Sequence, residues 1–310
     1  MPFFWRNKLL LLRTKATYGI SPGPTGLANA ILVKNIKIMP FEGQDMDHAL
    51  DNPCFGQSGS IPLDAFQKIS FETELQGSGT AGNAPGWRPL ALACGMSQTV
   101  AAAVSVTYSP VDTGQGSATI HMNVNGVNFV ISGARGTCKL QLDAQGIPVL
   151  AWEFTGLYQA PTAVAMPTPT YTAFPDPQGA TRINTPTFTV NGVSLEMKSF
   201  AFDVGNQIEN RFVINSHEVL IANRMESCEF TIQTPTLASF NPWALAELRT
   251  PVALALLHGR VAGWRVALTI PALQIQRPAS FDQDQGVVVQ TINAIPLRAS
   301  ATAALSIVCT

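Results

Sequence analysis

The stretch ATIHMNVNGVNFVIS (118–132), followed by TCKLQLDAQGIPVLAWEFTGLY (137–158), decides the fold. In both, apolar and polar residues alternate with the period of two that sends successive side chains to opposite faces of a strand. Each is broken once by a turn signal, at Val124-Asn125-Gly126-Val127 and at Asp143-Ala144-Gln145-Gly146, where Asn-Gly and Gln-Gly tolerate positive φ. Long antiparallel hairpins are therefore expected. The same pattern runs outward through ILVKNIKIMPF (31–41), ISFETEL (69–75) and VSVTY (104–108). In 69–75 it puts Ile69, Phe71, Thr73 and Leu75 on one face and Ser70, Glu72 and Glu74 on the other.

Residues 160–187 break the pattern with six prolines, at 161, 167, 169, 175, 177 and 186. That density opposes both a regular helix and a paired strand, so an extended, semi-stiff linker is expected. Alternation resumes in FTVNGVSLEMKSFAFDVGN (188–206), NRFVINSHEVLIANR (210–224), CEFTIQTPT (228–236), WRVALTIPALQIQ (264–276) and GVVVQTINAIPLRA (286–299). TAALSIVC (302–309) adds a last strand suited to pairing back into the second sheet. Short helices are expected within 86–96 and 241–250, where Asn241 suits an N-cap and Pro242 the first helical position. Each half thus reads as strands, one short helix and long hairpins, which suggests a diverged duplication. The expected fold is all-β and mainly antiparallel, with two tandem barrel or sandwich domains. Their bounds are 1–160 with an N-terminal arm, a linker at 161–185, and 186–310.

Charged residues make up 13% of the 310-residue chain and the net charge is −1. The first value is about half that of a typical soluble domain. Near-neutrality excludes a protein that grips phosphates through global positive charge. An ordinary apolar share of 46% argues against disorder. Cys54, Cys94, Cys138, Cys228 and Cys309 are odd in number and lack CxxC spacing, so buried free thiols are expected rather than zinc sites or disulfides. The apolar run Leu9–Leu12 is too short for a signal peptide, and no stretch reaches the length of a membrane span.

No catalogue motif survives its context. Gly77-Ser-Gly79-Thr-Ala-Gly82 satisfies GxGxxG, but Pro85, Gly86 and Pro89 deny it the long helix whose N-terminus would meet a pyrophosphate. Gly56-Gln-Ser58-Gly-Ser60 lacks the nucleophile-elbow pattern. Among four histidines, only His48 sits near other ligand types, Asp45 and Asp47, and a lone triplet is weak support for a metal. Glu72 and Glu74 stand about 7 Å apart along one strand face, which a solvated face explains as simply as a glycosidase pair. No catalytic residue, cofactor site or metal site is assigned.

Lysine is scarce: seven in all, and none after Lys198. Lysine guards exposed sheet edges and is depleted where surface meets other subunits, so edges covered by partners are expected. The arm carrying Phe3, Phe4, Trp5 and Leu9–Leu12 is too apolar for a free tail, and either its own sheet or a neighbour would receive it.

Several stretches in order resemble siphophage tail tube proteins. The opening matches in Trp5-Arg-Asn-Lys8, Thr17-Tyr18-Gly19, Pro-Thr-Gly (24–26) and Asn29-Ala-Ile-Leu-Val33. The block FETELQGSGTAGNAPGWRPLALACGM (71–96) is similar to the family's most recognisable segment, continued by SGARGTCKLQL (132–142) and FTGLY (154–158). FAFDVGNQIENRFVI (200–214) with Ala222-Asn-Arg224 is similar to the second domain of its tandem members.

The resemblance implies a non-enzymatic virion protein of the phage tail, assembled in the host cytoplasm without cofactors or membrane contact. Its partners would be its own copies, as stacked trimeric rings of pseudo-sixfold symmetry. Tail terminator, distal tail and tape measure proteins would join them, and passing DNA would be touched without sequence recognition. A basic channel would trap DNA, so Glu72, Glu74 and Asp203 are expected to face the lumen. Gly77, Ser78, Gly79, Gly82 and Pro85 form the expected ring-stacking loop, with 44–62 as a second one. On that view Gly79→Val harms tube elongation more than folding. Phe3, Phe4 and Trp5 form the candidate inter-subunit arm. The alternative is another β-rich virion surface or receptor-binding module that does not polymerise.

Overall fold

The computed structural model describes residues 4–15, 18–48, 51, 56, 59–278, 281–298 and 303–310. Phe3, Cys54 and Ser58 lie outside these. The first half contains β1 (Lys8–Lys15), α1 (Gly26–Asn29), β2 (Ala30–Ile31), β3 (Lys34–Glu42), β4 (Asp45–Asp47), β5 (Ser60–Pro62) and β6 (Phe66–Glu74). It continues with α2 (Arg88–Ala93), β7 (Met96–Ala101), β8 (Ser105–Pro110), β9 (Ser117–Val124), β10 (Val127–Asp143) and β11 (Val149–Leu157). Then come β12 (Thr162–Ala163), β13 (Thr187–Val190), β14 (Val193–Ser194), β15 (Met197–Asp203), β16 (Asn206–Val213), β17 (Ser216–Arg224) and β18 (Ser227–Gln233). The chain closes with α3 (Pro242–Glu247), β19 (Val252–His258), β20 (Val266–Ile275), β21 (Phe281–Asp284), β22 (Val287–Pro296) and β23 (Ser306–Cys309). The all-β antiparallel class expected from the alternation holds.

Turn chemistry works as its residues dictate. Asn125 and Gly126 take φ of 48° and 93° between β9 and β10, and Asn191 and Gly192 take 55° and 75° between β13 and β14. Both are the mirror-type turns whose twist suits a two-residue hairpin. Asn241 caps α3, its Oδ1 accepting from the Ala244 amide at 3.1 Å.

β10 organises the molecule. Its first part pairs with β9, which pairs with β1 and through it β2. Register shifts between Ile131 and Ala134, and between Ser132 and Arg135, then mark an irregularity. There Gly133 holds φ at +58°, and the Tyr18 ring lies where a Cβ would come within 2.7 Å. A bulge of this kind bends and twists a strand. Beyond it β10 leaves β9 and pairs with β15 instead.

The result is one antiparallel sheet in the order β3–β6–β11–β10–β15–β18–β22–β21. The order β3–β6–β11–β10 is repeated by β15–β18–β22–β21. A second sheet runs β7–β8–β23–β20–β19–β13–β14. Among the described residues β20 also pairs with β22 and so joins the two sheets, but the pairings branch without returning on themselves, so packed sheets with open edges form rather than a closed barrel. One core cluster spans both halves, with Phe71, Trp152 and Phe154 from the first and Phe200, Phe230 and Leu254 from the second.

One local expectation is overturned, in the proline-rich segment, and two others gain detail. β1 is an internal strand: Leu9–Leu12 are all 1–2% exposed, with Leu10 and Leu12 in the main core and Leu9 and Leu11 in a smaller cluster with Ala30. Full burial of each leucine is worth about 1.5–3 kcal/mol, and here the chain's own sheet supplies it through β9. The proline-rich segment makes a short paired strand, β12 against Val127 and Asn128, and packs closely. The Thr170 amide donates to the Gly26 carbonyl at 3.1 Å, the Ala180 amide to the Gly146 carbonyl at 2.7 Å, and Phe174 is buried. Finally, β23 pairs with β20 as expected but also with β8 of the first half.

His258 ends β19 and is buried against the proline-rich segment. Its Nε2 donates to the Gln178 carbonyl at 3.1 Å, and its Nδ1 accepts from the Thr185 hydroxyl at 3.0 Å. Burial lowers its pKa, partly offset by the bond to Gln178. A histidine depressed in the folded state takes up protons first in the unfolded chain. Stability is therefore complete above the unfolded value of about 6.5 and declines as pH falls below it. Denaturant midpoints between pH 8 and pH 5 should show this decline, and His258→Asn should flatten it. His121 and His217, also lowered by burial, add to the slope.

Candidate functional site

The shared sheet has a dry face and a wet one. Phe71, Trp152, Cys138, Phe202 and Cys228 point into the core from neighbouring strands, each 1–3% exposed. The opposite face is polar because the sequence alternates. One cross-strand row runs Lys34, Glu72, Ala151, Lys139, Asp203, Ser227. The next runs Glu74, Val149, Gln141, Ala201, Glu229, Asn293. The three carboxylates singled out from sequence, Glu72, Glu74 and Asp203, therefore lie on one face of one sheet, although they come from different halves.

Local contacts hold these groups in place. Asn35 Nδ2 donates to Glu72 Oε2 at 3.0 Å, and Lys34 Nζ lies 3.9 Å from Glu74. Asp203 accepts from the Gly205 amide at 2.8 Å, where Gly205 turns the chain with φ of +64°. Lys34, Lys37, Lys68 and Lys139 face outward against Glu72, Glu74, Asp143, Glu153, Asp203 and Glu229, so acids slightly outnumber bases. Behind the face, burial pushes the thiols of Cys94 and Cys138 up, and Cys309 is raised to about 12. These thiols stay protonated, as the sequence reading of buried free cysteines requires.

The Gly-rich segment 77–85 is a loop, as expected, but it is folded against the second half. The Gly79 amide donates to the Gly263 carbonyl at 3.0 Å, and a Cβ on Gly77 would come 2.0 Å from the same oxygen. Gly77 and Pro85 are buried, Ser78 and Gly82 are half-buried, and only Gly79, Thr80 and Asn83 are exposed. Gly79 holds φ at +81°, so valine there is strained whatever the surroundings. Gly79→Val therefore strains the fold itself, in addition to any effect on tube elongation. Phe4 and Trp5 of the arm are each 66% exposed, with Lys8 Nζ 3.6 Å over the Trp5 ring.

A clamp without a sequence motif of its own joins the halves. The β16–β17 hairpin leaves the shared sheet and lies on the first half. Asn206 Nδ2 donates to the carbonyls of Cys94 at 2.7 Å and Gly136 at 2.9 Å, and Asn206 Oδ1 accepts from Arg224 Nε at 3.0 Å. Arg224 also donates to the Val111 carbonyl at 3.0 Å, and Arg135 donates to the Val219 carbonyl at 2.7 Å. Only the appearance of Asn206 and Arg224 within the stretches resembling tandem tail tube proteins hinted at this role.

Among the described residues no cluster of histidine, cysteine or acidic side chains could hold a metal, and no helix is long and apolar enough to cross a membrane. The geometry is a continuous sheet, polar on one side, whose end strands β3 and β21 each pair on one side only among the described residues. Comparison with curated proteins finds no match. A family model described as phage tail tube protein matches residues 9–294, from β1 into β22. Spanning nearly all of both halves, that match establishes that the chain belongs to the phage tail tube protein family, a structural component of the virion tail.

Proposed function

We propose that this chain is the repeating subunit of a long, non-contractile tail tube, with three copies forming each ring at pseudo-sixfold symmetry. The carrying observation is the eight-stranded sheet with a twice-used strand order and two open edges. On this reading residues 1–160 and 186–310 are two tail-tube domains joined by 161–185, and the β10–β15 pairing inside the chain imitates the contact between chains. Rings closed edge to edge would give one continuous inner barrel, and stacked rings would form the channel through which DNA leaves. Electron microscopy of the purified protein tests this. Hollow rings or tubes with threefold averages are expected, and discrete unpolymerised particles would overturn it.

The wet face of the sheet lines the channel in this arrangement, with Glu72, Glu74 and Asp203 facing the lumen. A slightly acidic wall repels the phosphate backbone and lets it slide, whereas a basic wall releases counterions and holds it. The double variant E153K/E229K, at two exposed positions of this same face, should assemble normally, since exposed substitutions shift stability by no more than about 0.5 kcal/mol. Particles built from it should release DNA more slowly at low salt and recover as screening increases. Unchanged release at low salt would place these residues elsewhere. Thr80 and Asn83 are the exposed positions from which the 77–85 loop would meet an adjacent ring.

A further inference from the structure

This inference rests on the ring assembly proposed above and supplies the register of its subunit junction. Among the described residues, β3 pairs only with β6 and β21 only with β22, so both leave one backbone edge unpaired. The chain contains a finished junction of the same type. Where β10 meets β15, Asp143 stands opposite Ser199, Gln141 opposite Ala201, and Leu140 opposite Phe202.

β21 stands to β22 as β10 stands to β11. Both strands end in an aspartate before a Gln-Gly turn whose glutamine has positive φ: Gln145 at 66° after Asp143, and Gln285 at 49° after Asp284. Counting back from the turns, Gln141 aligns with Val149 and Glu74 in the first half, and Asp282 aligns with Val289 and Gln233 in the second. Carrying the correspondence one strand further matches Lys34 with Ser199, Lys37 with Ala201 and Ile38 with Phe202.

We propose that β21 of one copy pairs antiparallel with β3 of a second copy in the register of the β10–β15 junction. Asp284 then lies opposite Lys34 of the second copy, Asp282 opposite its Lys37, and Phe281 opposite its Ile38. Turn and strand positions alone fixed this register, yet it brings two acids against two lysines on the same solvent face. It also brings an exposed Phe281 against a half-buried Ile38 on the other face. A slip of one residue would send both acids to the core side. A slip of two leaves one acid without a lysine. Asp284 already reaches Lys198 at 2.9 Å and Lys34 lies 3.9 Å from Glu74, so the junction would join two existing ion pairs into one network.

Paired cysteines read the register directly, because a disulfide needs Cβ atoms about 3.5–4.5 Å apart and directly opposed positions approach that spacing. In a Cys54→Ser background, Lys37→Cys with Asp282→Cys should give an oxidised ladder of dimers and trimers on a non-reducing gel. Met39→Cys with Asp282→Cys, two residues out of register, should cross-link several-fold less. As a second variant, K37E and D282K should each raise the concentration needed for assembly, and the double variant should restore it. Rings in which the Met39 pair links equally well, or in which the double variant fails to recover, overturn the register alone. A parent protein that forms no rings overturns the assembly itself.

Discussion

Trp152→Ala is expected to cost about 4 kcal/mol, a large part of the stability a domain of this kind possesses. Trp152 is 2% exposed at the middle of β11, in the dry face of the shared sheet, with Phe154 stacked 6.3 Å away. Its indole Nε1 donates to Thr73 Oγ1 at 2.9 Å. Truncation removes the largest side chain in that layer and leaves a buried hydroxyl acceptor unused, so cavity and hydrogen-bond losses combine. Trp152→Phe keeps most of the apolar volume and loses the bond, which should cost about 1–2 kcal/mol. Denaturant midpoints of the three proteins provide the measurement. Equal loss from Phe and Ala would mean that the hydrogen bond, and not the packing, dominates at this site.

Asn206→Ala is expected to cost about 3 kcal/mol, out of proportion to the few atoms removed. Asn206 is 8% exposed, and its amide fills the gap between α2 and β10 while steering Arg224. Alanine leaves the Cys94 and Gly136 carbonyls without this donor, and Arg224 loses a neutral acceptor in a site where burial already lowers its pKa. Unmade buried bonds cost more than made ones contribute, and more when one partner is charged. Because the β16–β17 hairpin follows β15 directly, loosening it should also loosen the β10–β15 junction. Hydrogen exchange should show protection lost first at Val204–Arg224 and then across β15. Uniform loss over the whole chain would mean that the clamp has no separate role.

Much of this structure can be read along the chain because its causes are local. The Asn-Gly turns, the Asn241 cap and the alternation of 69–75 each depend on a few neighbouring residues. Other elements resist such reading for physical reasons. β1 carries four consecutive leucines because both its faces are covered, so it shows no alternation. β19, within PVALALLHG, hides its alternation because alanine and leucine are both apolar, and only burial separates Leu254 and Leu256 from Ala253. The 77–85 loop looks like a free glycine-rich tip until its backbone is found against Gly263.

The acidic positions behave in a middle way. That Glu72 and Glu74 share a wet strand face follows from the period of two. That Asp203 joins them follows only from the pairing of Lys139 with Asp203. The amino-acid sequence alone determined the all-β class, the turns and the side of each strand that faces water, since backbone sterics and side-chain polarity act over a few residues. Tertiary structure alone decided which strands are neighbours, that β23 closes on β8, and that β3 and β21 end the shared sheet. Alternation labels the faces of a strand and says nothing about the strand beside it.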